Sequence, residues 1–211
     1  AGRDLVADAL SLALRAKMDS LLLPALIEPS TMTGLTTETT ILQIAQLVSC
    51  TEAEGPGRRF AIWFQGCPLR CPGCCNPEML PFEGGSTMSV ADLLSLIDSA
   101  QRESFIEGVT LIGGEPFAHA RGASSLAKAV RERGLTVMIF SGFTIEQIRE
   151  NSDLDVETLL NETDLLVDGP YLEEQSETSR RWIGSSNQRI HFLSDAYSED
   201  DPRWRSSNTM E

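Results

Sequence analysis

Three cysteines in one short loop constrain this chain more than any other feature of its sequence. Cys67, Cys71 and Cys74 are separated by three and two residues, in a stretch rich in glycine and proline. Thiolates at this spacing can turn inward on one small object, because glycine and proline let the backbone fold tightly around it. Three thiolates are one fewer than a closed structural metal site normally uses. An iron–sulfur cluster held by three thiolates would keep one iron free for another ligand. A structural zinc site would take its fourth ligand from elsewhere in the chain. A chance run of buried cysteines is a third possibility.

Charge and cysteine distribution narrow the classes of protein further. The 211 residues carry a formal net charge of −14, which argues against binding nucleic acid, because its phosphate backbone needs a positive surface. Three of the 5 cysteines share one loop, which does not suit a disulfide framework and fits a reducing cytoplasm. No run approaches the ~18 apolar residues of a membrane span, and charged residues interrupt positions 1–23, where a secretory signal would be apolar. We therefore expect a cytoplasmic protein.

The chain is predicted to divide into three parts. Residues 1–40 are an N-terminal helical extension and linker, because apolar residues recur at helical spacing over residues 4–23 before Pro24. That helix would pack on its own domain or on a second chain. Residues 41–193 form the core domain, and residues 194–211 are a polar tail, surface-draped or disordered, with little to bury.

The core domain alternates strands and helices. Strands are predicted over residues 41–49, 59–64, 108–112, 135–140, 164–167 and 189–193. Helices are predicted over residues 89–102, 118–133, 144–151 and 156–161. The first two strands are joined by a Gly-Pro-Gly turn and form a hairpin that leads directly into the cysteine loop. The spacing of the later elements is typical of βα units, so we expect an α/β fold with a sheet of mostly parallel strands.

Glycine and polar residues follow three of the predicted strands. They are Gly113-Gly114-Glu115-Pro116, Ser141-Gly142 and Asp168-Gly169-Pro170. Ligands of open α/β sheets and barrels bind at the carboxyl ends of the strands. We therefore expect these three segments to face one pocket, with the cysteine loop at its mouth.

At this point the motifs resemble a known family. The cysteine motif after a strand, Gly-Gly-Glu-Pro after a second strand and Ser141-Gly142 after a third are similar to the radical S-adenosylmethionine (SAM) superfamily. Asp168-Gly-Pro-Tyr and Gly184-Ser-Ser-Asn-Gln resemble, within it, the glycyl-radical-enzyme activases, especially those of anaerobic ribonucleotide reductase. The resemblance covers about residues 41–193. It implies a partial (βα) barrel of the radical SAM type.

The resemblance also implies a mechanism. Cys67, Cys71 and Cys74 would each bind one iron of a [4Fe-4S] cluster, and the fourth iron would chelate SAM. An electron from an external low-potential donor would then break SAM and give a 5′-deoxyadenosyl radical, which takes a hydrogen atom from the substrate. In an activase the substrate is a glycyl-radical enzyme, so a partner protein is expected.

Several residues are candidates for contact with SAM under this resemblance. The backbone of Gly113 and Gly114 would approach the ligand closely, with Pro116 closing the motif and Glu115 adding charge, although a plain strand-to-helix turn would use the same residues. Ser141, with Gly142 beside it, would contact a ribose hydroxyl or the SAM carboxylate, or else cap a turn. Asp168 would accept from a ribose hydroxyl, orient a neighbour or stabilise its own turn. Asn187 has both donor and acceptor groups, and the 184–188 segment is either a ligand contact or a structural turn.

The remaining cysteines and histidines lie outside the motif. Cys75 stands where related activases often have an aromatic residue, and we interpret it as a small buried residue beside the cluster, with a spare ligand as the alternative. Cys50 is expected to be buried at a strand end, and His119 and His191 are interpreted as structural.

Three functions remain open. The first is a radical SAM activase that installs a glycyl radical on a partner protein. The second is a radical SAM enzyme that acts on a small molecule or a biosynthetic peptide. The third is a non-catalytic iron–sulfur or zinc protein.

Overall fold

The computed structural model describes residues 40–201. The predicted N-terminal helix and the end of the tail, residues 202–211, lie outside this part of the chain. None of the described helices is long and apolar enough to cross a membrane.

The described residues build one mixed β-sheet. Its strands are β1 Ile41–Thr51, β2 Arg59–Phe64, β3 Ser86–Ser89, β4 Gly108–Gly113, β5 Thr136–Phe140, β6 Leu165–Asp168 and β7 Arg189–Phe192. Their order across the sheet is β3-β1-β2-β4-β5-β6-β7. Strands β2, β4, β5 and β6 are mutually parallel, whereas β1 and β7 run antiparallel to their neighbours. The sheet is open, with β3 and β7 at its edges, so the expected α/β fold with mostly parallel strands is confirmed.

Four α-helices connect or follow these strands. They are α1 Val90–Ser104, α2 Ala120–Glu132, α3 Ile145–Glu150 and α4 Leu154–Asn161. Ser89 caps α1 by accepting from the backbone N–H of Asp92, and Thr144 and Gln147 form a capping box at α3. These caps fix where each helix begins after its loop.

The four helices of residues 40–201 all pack on one face of the sheet. Apolar residues of all four helices pack in a single cluster with strand residues such as Ile62, Leu111 and Ile139. The opposite face has its own cluster, in which Met138, Leu165 and Val167 pack with residues from the C-terminal segment rather than from a helix. A sheet with helices on one face and loops on the other matches the expected partial barrel.

A buried arginine at the amino end of β2 joins this strand to β4 and to the C-terminal segment. Arg59 is fully buried and donates to Thr110 Oγ1 at 2.7 Å, to the carbonyl of Val109 at 2.7 Å and to the hydroxyl of Tyr197 at 3.0 Å. Tyr197 belongs to the segment predicted to be a tail with little to bury, yet it is buried. The prediction was wrong here, because the arginine supplies a polar partner that the local sequence does not reveal.

Two other local predictions also differ from the structure. No strand was predicted between residues 64 and 108, but Ser86–Ser89 pairs with β1 as an edge strand. A helix was predicted over residues 118–133, whereas Pro116–His119 forms a separate 3-10 turn and α2 begins at Ala120. Both segments are short, and neither has the apolar periodicity that sequence reasoning uses.

Candidate functional site

The cysteine loop leaves the carboxyl end of β2 and is tied at its base. The N–H groups of Gly66 and Cys67 donate to the carbonyls of Met79 and Leu80, at 2.8 and 3.0 Å. The buried side chain of Gln65 donates to the carbonyls of Glu78 and Pro81, at 3.0 and 2.7 Å. These bonds close the loop on itself, so the three thiols are presented by a segment with both ends fixed.

A cavity of about 220 Å³ lies under this loop. It is lined by most of the predicted site residues: Cys67, Cys71, Cys74, Gly113, Gly114, Glu115, Ser141 and Gly142. Strands β2, β4 and β5 are parallel, so their carboxyl ends bring the loop and the strand-end segments to the same edge of the sheet. The expected convergence of these segments on one pocket is therefore confirmed.

Close backbone approach explains the paired glycines after β4. Gly113 has φ of +72°, a conformation that favours glycine, and a Cβ there would press on Trp63. A Cβ on Gly114 would overlap the backbone carbonyl of Gly66. The N–H of Glu115 donates to that same carbonyl at 2.9 Å. The two glycines thus let the end of β4 pack directly against the start of the cysteine loop.

Glu115 ties the ends of β4 and β5 together. One carboxylate oxygen accepts from Ser141 Oγ at 2.9 Å and from the N–H of Phe117 at 3.0 Å. The other accepts from the N–H of Gly142 at 2.8 Å. Burial raises the pKa of Glu115 to about 7, although these three hydrogen bonds act in the opposite direction. Its carboxylate therefore positions Ser141 and Gly142 at the cavity wall, a role that the sequence did not predict.

Asp168 lies below the cavity and does not line it. It is fully buried, and its carboxylate accepts from the N–H of Ile145 at 2.7 Å and from the guanidinium of Arg189 at 2.5 and 3.1 Å. His191 Nε2 lies 3.1 Å from the same carboxylate. Burial alone would raise the pKa of Asp168, but these three donors together lower it. The structure thus places Asp168 at a junction of α3, β6 and β7.

The 184–188 segment forms a turn tied to the end of β6. Gln188 Oε1 accepts from the N–H groups of Gly184 and Ser185, at 2.9 and 3.2 Å, and its Nε2 donates to the carbonyl of Gly169 at 3.0 Å. Asn187 Nδ2 donates to the carbonyl of Pro170 at 2.8 Å, and its buried Oδ1 has no hydrogen-bond partner among the described residues. Gly184 and Gln188 line the cavity, whereas Asn187 does not.

Pro116 and His119 lie outside the cavity wall. Pro116 is buried as the first residue of the 3-10 turn after β4 and is not part of the cavity wall. The ring of His119 stacks on Phe64, with ring centroids 5.4 Å apart. Burial lowers the pKa of His119, which fits the structural role expected for it.

The two cysteines outside the motif occupy different surroundings. Cys50 is half-buried in β1 and packs against the helix-covered core, close to its predicted place. Cys75 was expected to be buried, but it is exposed and lines the cavity beside Cys74. This prediction was wrong, because Cys75 lies at the open cavity rather than against the core.

The donor set fits an iron–sulfur cluster. Three thiols line one cavity; Cys67 is buried and Cys71 and Cys74 are half-buried, so the site is partly shielded from water. Burial raises the pKa of Cys67, and a bound cation would offset that effect by stabilising the thiolate. No group of three His, Cys, Asp or Glu side chains within residues 40–201 is placed around a point that would suit a single metal ion.

Sequence reasoning missed the apolar part of the cavity wall. Its residues are Leu69, Leu80, Ile112, Phe140, Tyr171 and Trp182. Ile112 and Phe140 end strands whose following residues were predicted to contact the ligand, so their position in the chain could have indicated them. Tyr171 and Trp182 lie at the two ends of the segment between β6 and the 184–188 turn, and the sequence offered no signal that both ends return to the cavity.

Comparison with known proteins agrees with this geometry. A family model described as a 4Fe-4S single cluster domain matches residues 53–191. The anaerobic ribonucleoside-triphosphate reductase-activating protein of Escherichia coli K12 is 28% identical over 145 residues, covering 66% of this chain and 91% of that protein. The protein of the same name from phage T4 is 28% identical over 149 residues, covering 69% of this chain and 90% of that protein.

Two further similarities are more limited. A protein of Haemophilus influenzae named for glycyl-radical enzyme activation is 37% identical over 113 residues, covering 53% of this chain and 42% of that protein. The crystal structure of QueE from Escherichia coli has a TM-score of 0.43 and 20% identity, over 51% of this chain and 56% of that chain, too low to bear on function. The matched family model spans the cysteine loop and all three strand-end segments. The chain therefore belongs to the 4Fe-4S single cluster domain family, and the resemblance to glycyl-radical-enzyme activases is confirmed.

Proposed function

We propose that this chain is a radical SAM enzyme, and that it acts as an activase that installs a glycyl radical on a partner protein. The observation that carries this proposal is the cavity in which the three motif thiols face the backbone ends of β4 and β5. Cys67, Cys71 and Cys74 would hold a [4Fe-4S] cluster there. Such a cluster would supply the electron for reductive cleavage of bound SAM, which gives a 5′-deoxyadenosyl radical.

The other residues of the cavity position SAM and shield the reaction. The backbone at Gly113 and Gly114 offers polar groups beside the cysteine loop, where a Cβ at either position would press on neighbouring atoms. Ser141 and Gly142, held by Glu115, form the adjacent wall. The apolar side chains of the wall exclude water, so a radical formed there meets few competing reactants.

The relatives support a protein as substrate. Two are named as activating proteins of anaerobic ribonucleoside-triphosphate reductase, and this chain covers about nine-tenths of each. A glycyl-radical enzyme of that type is thus the partner we propose, and an external low-potential donor supplies the electron.

Reductive cleavage of SAM tests the enzymatic part of the proposal. The chain is reconstituted anaerobically with iron and sulfide, then given SAM and a strong reductant, and 5′-deoxyadenosine is measured. We expect cleavage by the wild type and by Cys50→Ala, whose thiol lies in β1 away from the cavity, and none by Cys67→Ala. An intact cluster without cleavage in the wild type would contradict the proposal.

Isotope transfer tests the activase part. The partner is prepared with deuterated glycine and incubated with the reduced chain and SAM. Deuterium is expected in 5′-deoxyadenosine, together with a glycyl-radical EPR signal on the partner. Cleavage that proceeds without either signal would favour a small molecule or a peptide as the substrate.

A further inference from the structure

Cys74 and Cys75 share the wall of one cavity although they are adjacent in the chain. Successive side chains of an extended backbone point to opposite sides. Here the backbone is not extended: Gly73 has φ of +70°, and the N–H of Cys74 donates to the carbonyl of Cys71 at 3.2 Å, which closes a tight turn just before the pair. Both residues line the cavity, so Cys75 adds a fourth thiol to the wall that holds the three motif thiols.

The thiol of Cys75 is not committed to the folded core. Its sulfur accepts a hydrogen bond from the side chain of the next residue, Asn76, at 3.4 Å. The residue is exposed, in contrast to Cys50, which packs against the core of the domain. The Cys75 side chain can therefore rotate by a small amount without disrupting other packing.

We propose, on the basis of the function proposed above, that the Cys75 thiolate binds the fourth iron of the cluster when SAM is absent. SAM then binds by displacing this thiolate. On binding iron the Cys75 thiol releases its proton to solvent, and on displacement the thiolate takes a proton back. The exchange breaks one iron–sulfur bond as SAM forms its own bonds, and no electron is transferred.

Such a ligand closes the site between turnovers. A set of four thiolates is the usual complement for a [4Fe-4S] cluster, and it leaves no iron open to solvent. SAM must then compete with the thiolate. The apparent affinity for SAM is the intrinsic affinity multiplied by the fraction of molecules in which the fourth iron is open. If the thiolate is bound about ten times more often than not, Cys75→Ala should tighten the apparent Kd for SAM about tenfold.

Loss of iron on mild oxidation tests this inference without using activity. A cluster with one open iron loses that iron to ferricyanide and gives the EPR signal of a three-iron cluster, whereas four thiolates retard the loss. Without SAM, Cys75→Ala is expected to give several-fold more of this signal than the wild type and Cys50→Ala. Equal signals in Cys75→Ala and the wild type, or an unchanged Kd for SAM, would overturn the inference.

A second set of variants tests whether Cys75 reaches the cluster at all. If Cys75 reaches the cluster, Cys74→Ala and Cys71→Ala each keep three thiolates, so the iron content per chain of either variant is expected to fall when Cys75→Ala is added. An iron content that is the same in each single variant and its double variant with Cys75→Ala would overturn the inference. A wild type that holds its cluster but does not cleave SAM contradicts the proposed function, whereas cleavage with equal ferricyanide sensitivity contradicts only the role of Cys75.

Discussion

Replacement of Glu115 by glutamine isolates the carboxylate that ties β4 to β5. The carboxylate uses both of its oxygens to accept three hydrogen bonds from Phe117, Ser141 and Gly142. Glutamine keeps the shape but has only one acceptor oxygen, and its NH₂ group would face the N–H of Gly142. One lost hydrogen bond is worth about 1 kcal/mol, so we expect the Kd for SAM to rise several-fold in Glu115→Gln.

The effect of this substitution on stability depends on pH, and its sign follows from the pKa. Burial raises the pKa of Glu115 from 4.5 to about 7, so the folded chain binds more protons than the unfolded chain between these values. The stability contributed by the protonated carboxyl is complete below pH 4.5 and is lost as the pH rises to 7. A shift of this size corresponds to about 3 kcal/mol.

Chemical denaturation of the cluster-free chain measures this difference. Unfolding in urea is followed by tryptophan fluorescence between pH 5 and pH 8 for the wild type and for Glu115→Gln. We expect similar free energies of unfolding at the acid end, and a relative gain for the glutamine variant of about 3 kcal/mol at the alkaline end. The variant would thus be more stable at alkaline pH and yet bind SAM more weakly. This combination is expected if the carboxylate of Glu115 serves function at a cost in stability.

A matched control separates this carboxylate from the general titration of the protein. Glu103 is exposed near the end of α1, so Glu103→Gln should follow the wild type at every pH. If the difference between Glu115→Gln and the wild type stays constant from pH 5 to pH 8, Glu115 does not titrate as a buried group and the reasoning fails.

Four further substitutions test other parts of the fold. Gly114→Ala should lower the iron content per reconstituted chain, because its Cβ would overlap the backbone carbonyl of Gly66. Gly142→Ala should lower the iron content less, because its Cβ would press on the end of a flexible side chain. A larger loss of iron in Gly142→Ala than in Gly114→Ala would contradict the packing. Asp168→Asn should reduce the free energy of unfolding by about 1–3 kcal/mol at neutral pH. The reduction should become smaller as the pH falls through the lowered pKa of the wild-type carboxyl, because the ion pair is lost there in the wild type as well. A loss of stability that does not change with pH would argue against the ion pair. Tyr197→Phe should reduce it by about 1 kcal/mol, since the hydroxyl bonds the buried arginine of β2, and no change would mean that this contact is not made in solution.

The sequence predicted the elements that have strong periodicity and clear ends. β2 matches its expected bounds, and the helices predicted to begin near residues 89 and 144 are capped by Ser89 and Thr144, because these signals are local. The edge strand Ser86–Ser89 has no apolar alternation, so its pairing with β1 depends on tertiary context.

The partners of the site residues could not be read from the sequence in the same way. Glu115 was expected to add charge beside SAM, but its carboxylate is engaged by residues 26 and 27 positions further along the chain. Asp168 likewise meets Arg189, 21 positions away. Such pairings depend on which strands are neighbours in the sheet, and the motif alone does not contain that information. The roles predicted for individual residues in binding SAM remain predictions.

The central claim is that the three thiols of the loop leave one iron of the cluster for SAM. The most direct measurement is electron–nuclear double resonance on the reduced cluster with SAM labelled with ¹⁵N in its amino group and ¹⁷O in its carboxylate. We predict hyperfine couplings from both labels, which show that these atoms are bound to iron. A reduced cluster that binds SAM without either coupling would contradict the claim.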